Sequence, residues 1–126
     1  MTQQIMVIDD ASGVRLLLRD ALKAAGYEVC LAADGRQALQ LFQMQPSALV
    51  ITDIFMPESD GIEVIRELRR SHPELPIIAI SGQAEMPSHR MLTVAKALGA
   101  NVTLVKPFRM RELVAAVRSL LPAAAA

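Results

Sequence analysis

Three aspartates, a serine and a lysine in this 126-residue chain each stand at the end of a short apolar run. Asp9-Asp10 follows Ile5-Met6-Val7-Ile8, and Asp53 follows Leu49-Val50-Ile51-Thr52. Ser81 follows Ile77-Ile78-Ala79-Ile80, and Lys106-Pro107 follows Val102-Thr103-Leu104-Val105. Gathered together, three carboxylates repel one another, by about 4 kcal/mol for a pair at ~4 Å and an effective dielectric near 20. A divalent cation removes that cost, and an all-oxygen donor set of this kind favours Mg²⁺, which keeps several waters and shares its shell with phosphate. A carboxylate can also act as a nucleophile and form an aspartyl phosphate. An ammonium and a hydroxyl beside it suit phosphoryl oxygens. The Lys106-Pro107 bond stands at a tight corner where a cis peptide is expected to aim the ammonium inward.

Taken singly, each signal has an ordinary explanation. Asp9-Asp10 reads as a turn and helix-capping pair, and Asp53 as a loop residue before Met56-Pro57. Ser81-Gly82 reads as a turn, and Lys106-Pro107 as a helix start. Their joint occurrence at the ends of four apolar runs is what points to one site.

The elements that must position them alternate. Each apolar run is short and largely β-branched, as a strand buried on both faces of a parallel sheet should be. Val14, Leu17, Leu18, Ala21 and Leu22 form one face of a helix, with Arg15, Arg19 and Lys23 opposite, and Gly26 stops it. Glu28–Ala32 is the second strand, with Cys30 a small buried apolar residue within it. Asp34 caps a helix carrying Ala38, Leu41 and Phe42 inward, which Pro46 closes. After Pro57 and Gly61, a third helix turns Ile62, Ile65 and Leu68 inward and Arg66, Glu67, Arg69 and Arg70 mostly outward. His72-Pro73-Glu74-Leu75-Pro76 is a loop because two prolines remove donors. Gly82–Ser88 reads as irregular. Met91, Val94, Ala95 and Leu98 then follow helical spacing as far as Gly99. Met110, Leu113, Val114, Val117 and Leu121 share a face of the last helix, which Pro122 ends, leaving Ala123–Ala126 as a frayed tail.

Strict βα alternation with short loops predicts an α/β fold: a doubly wound five-stranded parallel sheet, flavodoxin-like, in strand order 2-1-3-4-5. In such sheets ligands bind in the crevice outside the carboxyl ends of the strands, where the five chemical residues stand. The length is that of one domain, 1–126, with its core over about 4–121 and a tail over 122–126.

Composition narrows the function classes. The chain is 52% hydrophobic and 21% charged, as packed domains are. Thirteen Lys and Arg balance thirteen Asp and Glu, so no overall field recruits nucleic acid or an anionic membrane. A lone cysteine suits a reducing compartment. Without a signal peptide pattern or an apolar stretch of ~18 residues, a cytoplasmic location is expected.

With these residues the sequence resembles a response-regulator receiver domain, the phosphoacceptor half of two-component signalling. The resemblance runs from Ile5 to about Leu121. Its most specific pieces are Asp9-Asp10, Asp53-Ile54-Phe55-Met56-Pro57 with Asp60-Gly61, Ser81-Gly82, Gly99-Ala100 and Lys106-Pro107-Phe108. It implies that Asp53 accepts phosphate from a sensor histidine kinase, a phosphotransfer protein or a small phosphodonor. It implies that Asp10, Asp53 and the Phe55 main-chain carbonyl hold Mg²⁺, with Asp9 joining mostly through water. Ser81 and Lys106 would bind the phosphoryl oxygens, and the loop after strand four would shift. The downstream protein target would dock on helix four, strand five and helix five, and the chain would be a monomer or weak dimer.

Departures from the family carry expectations too. Receivers usually have Tyr or Phe where this chain has Thr103, so an aromatic rotamer switch is not the readout and Thr103 takes the switch position. The segment from Ser81 to Lys106 is longer than usual, with the extra length in Gly82–Arg90. Phe55 is expected to shield the acyl phosphate from water. It also stands where phosphohydrolases on similar sheets carry a second acid/base carboxylate, so the expectation is a signalling domain rather than an enzyme. The alternative is the N-terminal receiver of a longer DNA-binding regulator; the Ala123–Ala126 ending suits a natural terminus or the start of a linker. His72 reads as solvated, His89 as a lone loop histidine, most of the methionines as gap-filling core, and Arg66, Arg69 and Arg70 as a solvated basic patch.

Overall fold

A computed structural model of the chain describes residues 3–56, 61–82 and 88–121, the side chains of 88–92 excepted. Expectations for Pro57 and Asp60, for the loop at 83–87, for the side chains of His89 and Met91, and for the tail from Pro122 lie outside those residues.

Strands and helices alternate as β1 (Gln4–Ile8), α1 (Ser12–Ala24), β2 (Glu28–Ala32), α2 (Gly35–Met44), β3 (Leu49–Asp53), α3 (Gly61–Ser71), β4 (Ile77–Gly82), α4 (Ser88–Ala97), β5 (Val102–Lys106) and α5 (Met110–Leu120). All strands pair in parallel, in the order β2-β1-β3-β4-β5. Two apolar cores follow from the alternation of side chains along each strand. Met6, Ile8, Val50, Ile77 and Ala79 face α2, α3 and α4 through Phe42, Ile65, Leu68 and Ala95. Ile5, Val7, Leu49, Ile51, Ile78 and Ile80 face α1 and α5 through Leu18, Leu22, Leu113 and Val117.

Helix ends follow local chemistry. Asp34 caps α2, accepting from the Gln37 N–H at 2.8 Å. Gly26 and Gly99 end α1 and α4 at φ of 100° and 119°, a region glycine enters without a Cβ penalty. No helix among the described residues is long and apolar enough to cross a membrane.

Several expectations need correction. Only β1, β3 and β4 are buried throughout or nearly so; β2 and β5 are the sheet edges and are half-buried, because each lacks a neighbour on one side. Cys30, on β2, is therefore half-buried. Leu17 is 56% exposed, because the inward stripe of α1 is centred on Leu18 and Leu22. Val94 on α4 is exposed, and Met44 at the end of α2 is 83% exposed rather than part of the core.

The arginines of α3 are not a free basic patch. Arg66 pairs with Glu63 and Arg70 with Glu67, one turn apart. Arg69 donates to the carbonyls of His72, Pro73 and Gly99 and to Asn101 Oδ1, at 2.7–3.2 Å. Asn101 Oδ1 also accepts from the Ile77 N–H at 2.8 Å. Arg69 thus ties the end of α3 to the turn between α4 and β5. His72 is exposed as expected, with its ring 4.8 Å from Phe42 in an edge-on contact.

Candidate functional site

The site lies where alternation and strand order converge at the carboxyl ends of β1, β3 and β5. Asp9 continues the alternation of Ile5 and Val7, Asp53 that of Leu49 and Ile51, and Lys106 that of Val102 and Leu104. All three therefore leave the sheet toward the α1 and α5 side. Lys106 Nζ reaches Asp9 Oδ2 at 3.4 Å and Asp53 Oδ2 at 3.3 Å. The Lys106-Pro107 peptide is cis, as expected.

Each buried carboxylate has a second partner in the backbone. Asp9 Oδ1 accepts from the Ala11 N–H at 2.9 Å, and Asp53 Oδ1 from the Phe55 N–H at 3.2 Å. Asp9 is 2% exposed and Asp53 4%, whereas Asp10 is exposed. Carboxylate oxygens of Asp9, Asp10 and Asp53 all lie within 4.8 Å of one another. With Asp10, Ala11, Phe55, Met56 and Lys106 they line an open cleft of about 500 Å³.

The charges do not balance. Lys106 is a single cation facing two buried carboxylates, with Asp10 close by. Burial, and then the charge of Asp9, push the Asp53 carboxyl up to about 6, against the opposing pull of Lys106 and the Phe55 N–H. Burial pulls Lys106 down, but Asp53 and Asp9 more than offset this and hold its ammonium above the usual range. A cluster of hard oxygens with excess negative charge and an open mouth fits a hard divalent cation. Asp53 combines a buried carboxylate, a backbone donor on one oxygen and an ammonium on the other, the setting in which a carboxylate attacks an electrophile whose developing charge is already matched.

Ser81 and Thr103 sit apart from this group. Ser81 follows Ile77 and Ala79 in alternation and so belongs to the α3 and α4 side, opposite to Asp53. It is fully buried, with its hydroxyl 3.5 Å from the Gly82 carbonyl, and is not among the residues lining the cleft. Thr103, opposite Ala79, is half-buried on that same side. Asp9, Asp10, Asp53, Phe55 and Lys106 thus line one cleft, and Ser81 is not among its lining residues.

Two features escaped the sequence reading. Arg15, assigned to the outer face of α1, is half-buried and donates from Nη1 to the main-chain carbonyl of Asp9 at 2.6 Å. A cation in the opening turns of a helix, where the dipole favours acids, was the available signal. Gly61 presses on the strand that carries Asp53: a Cβ there would collide with the Asp53 carbonyl oxygen and come within 2.8 Å of the Ile54 Cα. The Gly61 N–H also donates to the Ile54 carbonyl at 2.8 Å.

Comparison with known proteins gives a consistent result. The response regulator receiver domain family matches residues 5–118. A probable transcriptional regulator, ycf27, of Cyanophora paradoxa is 40% identical over 119 residues, covering 94% of this chain and 48% of its own. The response regulator MprA of Mycolicibacterium vanbaalenii is 40% identical over 121 residues, covering 96% and 51%. The chain thus spans about half the length of these curated relatives. Among solved structures, the chemotaxis protein CheY4 of Vibrio cholerae superposes with a TM-score of 0.86 at 31% identity, over 96% of this chain and 100% of its own. The receiver domain of NtrX from Brucella abortus gives 0.87 at 30% identity, over 95% and 99%.

Proposed function

The chain belongs to the response regulator receiver family, and we propose that it works as a phosphorylation-controlled signalling switch with Asp53 as the phosphoacceptor. The observation that carries this reading is the Lys106 ammonium set between the buried carboxylates of Asp9 and Asp53 at the mouth of an acidic cleft. One oxygen of the Asp53 carboxylate forms the new bond to phosphorus. The phosphorus–nitrogen bond of a phosphohistidine donor, or the phosphorus–oxygen bond of a small acyl phosphate, breaks as it does so. The Phe55 N–H fixes the rotation of the carboxylate, and Lys106 meets the charge of the incoming oxygens.

The residues fit Mg²⁺: the Asp10 and Asp53 carboxylates and the Phe55 carbonyl would hold it, with Asp9 through water, and the ion would supply neutralising charge between nucleophile and phosphoryl group. Once transferred, the phosphoryl group carries roughly −1.5 to −2 charge beside Lys106, in place of the single charge of the Asp53 carboxylate. Ser81, on the other side of the sheet end, would turn its hydroxyl toward a phosphoryl oxygen and draw β4 with it. Thr103 lies on that same side, on the route to α4 and β5. Exposed Val94 and Val105 give the α4–β5–α5 face an apolar component suited to a protein target.

The donor would be a sensor histidine kinase or a phosphotransfer protein. In a second reading the chain is the receiver half of a longer DNA-binding regulator, supported by relatives about twice its length, one of them described as a transcriptional regulator. Acetyl phosphate with Mg²⁺ should produce a retarded band in a phosphate-affinity gel. Asp53→Asn should abolish it, and a persistent retarded band would refute the assignment.

A further inference from the structure

We infer that Arg15 is a positioning residue for the acidic pair, and that it sets the affinity of the cleft for its divalent cation. The inference rests on the reading of the cleft as a magnesium site. The carbonyl that Arg15 Nη1 meets at 2.6 Å belongs to the peptide joining Asp9 to Asp10. The orientation of that one peptide plane sets ψ of Asp9 and φ of Asp10 together, and so the directions in which the two carboxylates leave the chain.

Among the described residues, the other restraints on this loop act on either side of the plane and not on it. Asp9 Oδ1 takes the Ala11 N–H at 2.9 Å, and the Asp9 N–H donates to the Ala32 carbonyl at 3.2 Å. Asp10 is exposed, and the N-cap of α1, Ala11, makes no side-chain cap bond. The Arg15 N–H closes the first turn on the Ala11 carbonyl at 3.0 Å, which holds the base of its side chain below the loop. A guanidinium in the first turns of α1 works against the helix dipole, and α1 has no acid in its first turn to offset it. A local choice that helix energetics disfavour, made for a partly buried bond to the loop bearing two site carboxylates, is the mark of a functional constraint. The guanidinium also adds positive charge beneath the acidic pair without occupying the cleft, which it does not line.

The test compares wild-type protein with Arg15→Met, which keeps the length of the side chain and loses its donors, and with Arg15→Lys, which restores one. Titration with MgCl₂, followed by calorimetry, should show affinity weakened about tenfold in Arg15→Met and by less in Arg15→Lys. In metal-free protein, amide exchange at Asp10 and Ala11 should quicken in Arg15→Met while that of β1 is unchanged. Phosphorylation by acetyl phosphate should need more Mg²⁺ in Arg15→Met but approach the wild-type rate once the site is saturated. Undiminished magnesium affinity in Arg15→Met, beside a wild type that binds the ion, overturns this inference alone. Equal losses in both variants, accompanied by faster exchange throughout β1, also overturn it, because Arg15 would then be only a structural support. Wild-type protein that takes up no magnesium overturns the reading of the cleft and this inference with it.

Discussion

Replacing Asp53 with asparagine should make the metal-free protein more stable at neutral pH, although it destroys the proposed function. Asp53 is 5% exposed at its side chain and shares one ammonium with Asp9. Its carboxyl is raised from 3.8 to about 6. A rise of roughly two units corresponds to about 3 kcal/mol of cost for holding the ionised form in the fold. The sign follows from proton binding. Between about pH 4 and pH 6 the folded protein keeps a proton that the unfolded chain releases, so the contribution of this group to stability falls as pH rises through that window. Above about pH 7 the loss is complete. Asparagine keeps the shape and stays neutral, so the variant should gain up to about 3 kcal/mol at pH 7.5, about 1 kcal/mol at pH 4.5, and little below pH 4. Urea unfolding followed by circular dichroism in the presence of a chelator measures the difference directly. Adding Mg²⁺ at ten times its dissociation constant should stabilise the wild type by about 1.4 kcal/mol and the variant by less. An Asp53→Asn protein no more stable than wild type at pH 7.5 without metal, or one whose advantage does not shrink toward pH 4.5, would refute the electrostatic account of the cleft.

Gly61→Ala should destabilise the fold by about 2–3 kcal/mol and slow phosphorylation, because the new methyl must displace the Asp53 carbonyl; denaturation midpoints and acetyl-phosphate labelling rates check both. Phe55→Asn should lose its phosphoryl group several times faster than wild type, since a polar side chain replaces a half-buried ring at the cleft; equal or slower decay of labelled protein counts against the shielding role. Lys106→Met should lower metal-free stability at pH 7.5 and push the Asp53 titration still higher, because two buried carboxylates lose their shared cation; carbon-detected NMR titration of Asp53 reads the change. Arg69→Ala removes four hydrogen bonds and should cost about 2 kcal/mol while leaving magnesium affinity unchanged; thermal melts and calorimetry separate the two effects.

What the sequence determined by itself was the set of elements and the positions of chemistry at their ends. Apolar runs such as Leu49–Thr52 and Ile77–Ile80 are local signals, and so are Asp34 at a helix start and Gly26 or Gly99 at a helix stop. The βα alternation then left few topologies open. Tertiary structure decided which of those chemical residues share a space. Asp9, Asp53 and Lys106 meet because parallel pairing brings the carboxyl ends of β1, β3 and, across β4, β5 to one end of the sheet, and each residue falls on the same phase of a two-residue alternation. Ser81 falls on the opposite phase, with Ile77 and Ala79, and is not among the residues that line the cleft. Leu17, Arg15 and Arg69 were misread for a related reason. Helical periodicity says which residues share a face, but the width of the buried stripe depends on what packs against it. Whether an arginine beside that stripe is solvated depends on which carbonyls another part of the chain brings within reach. Those contacts join residues distant in sequence, and only the folded geometry sets their distances.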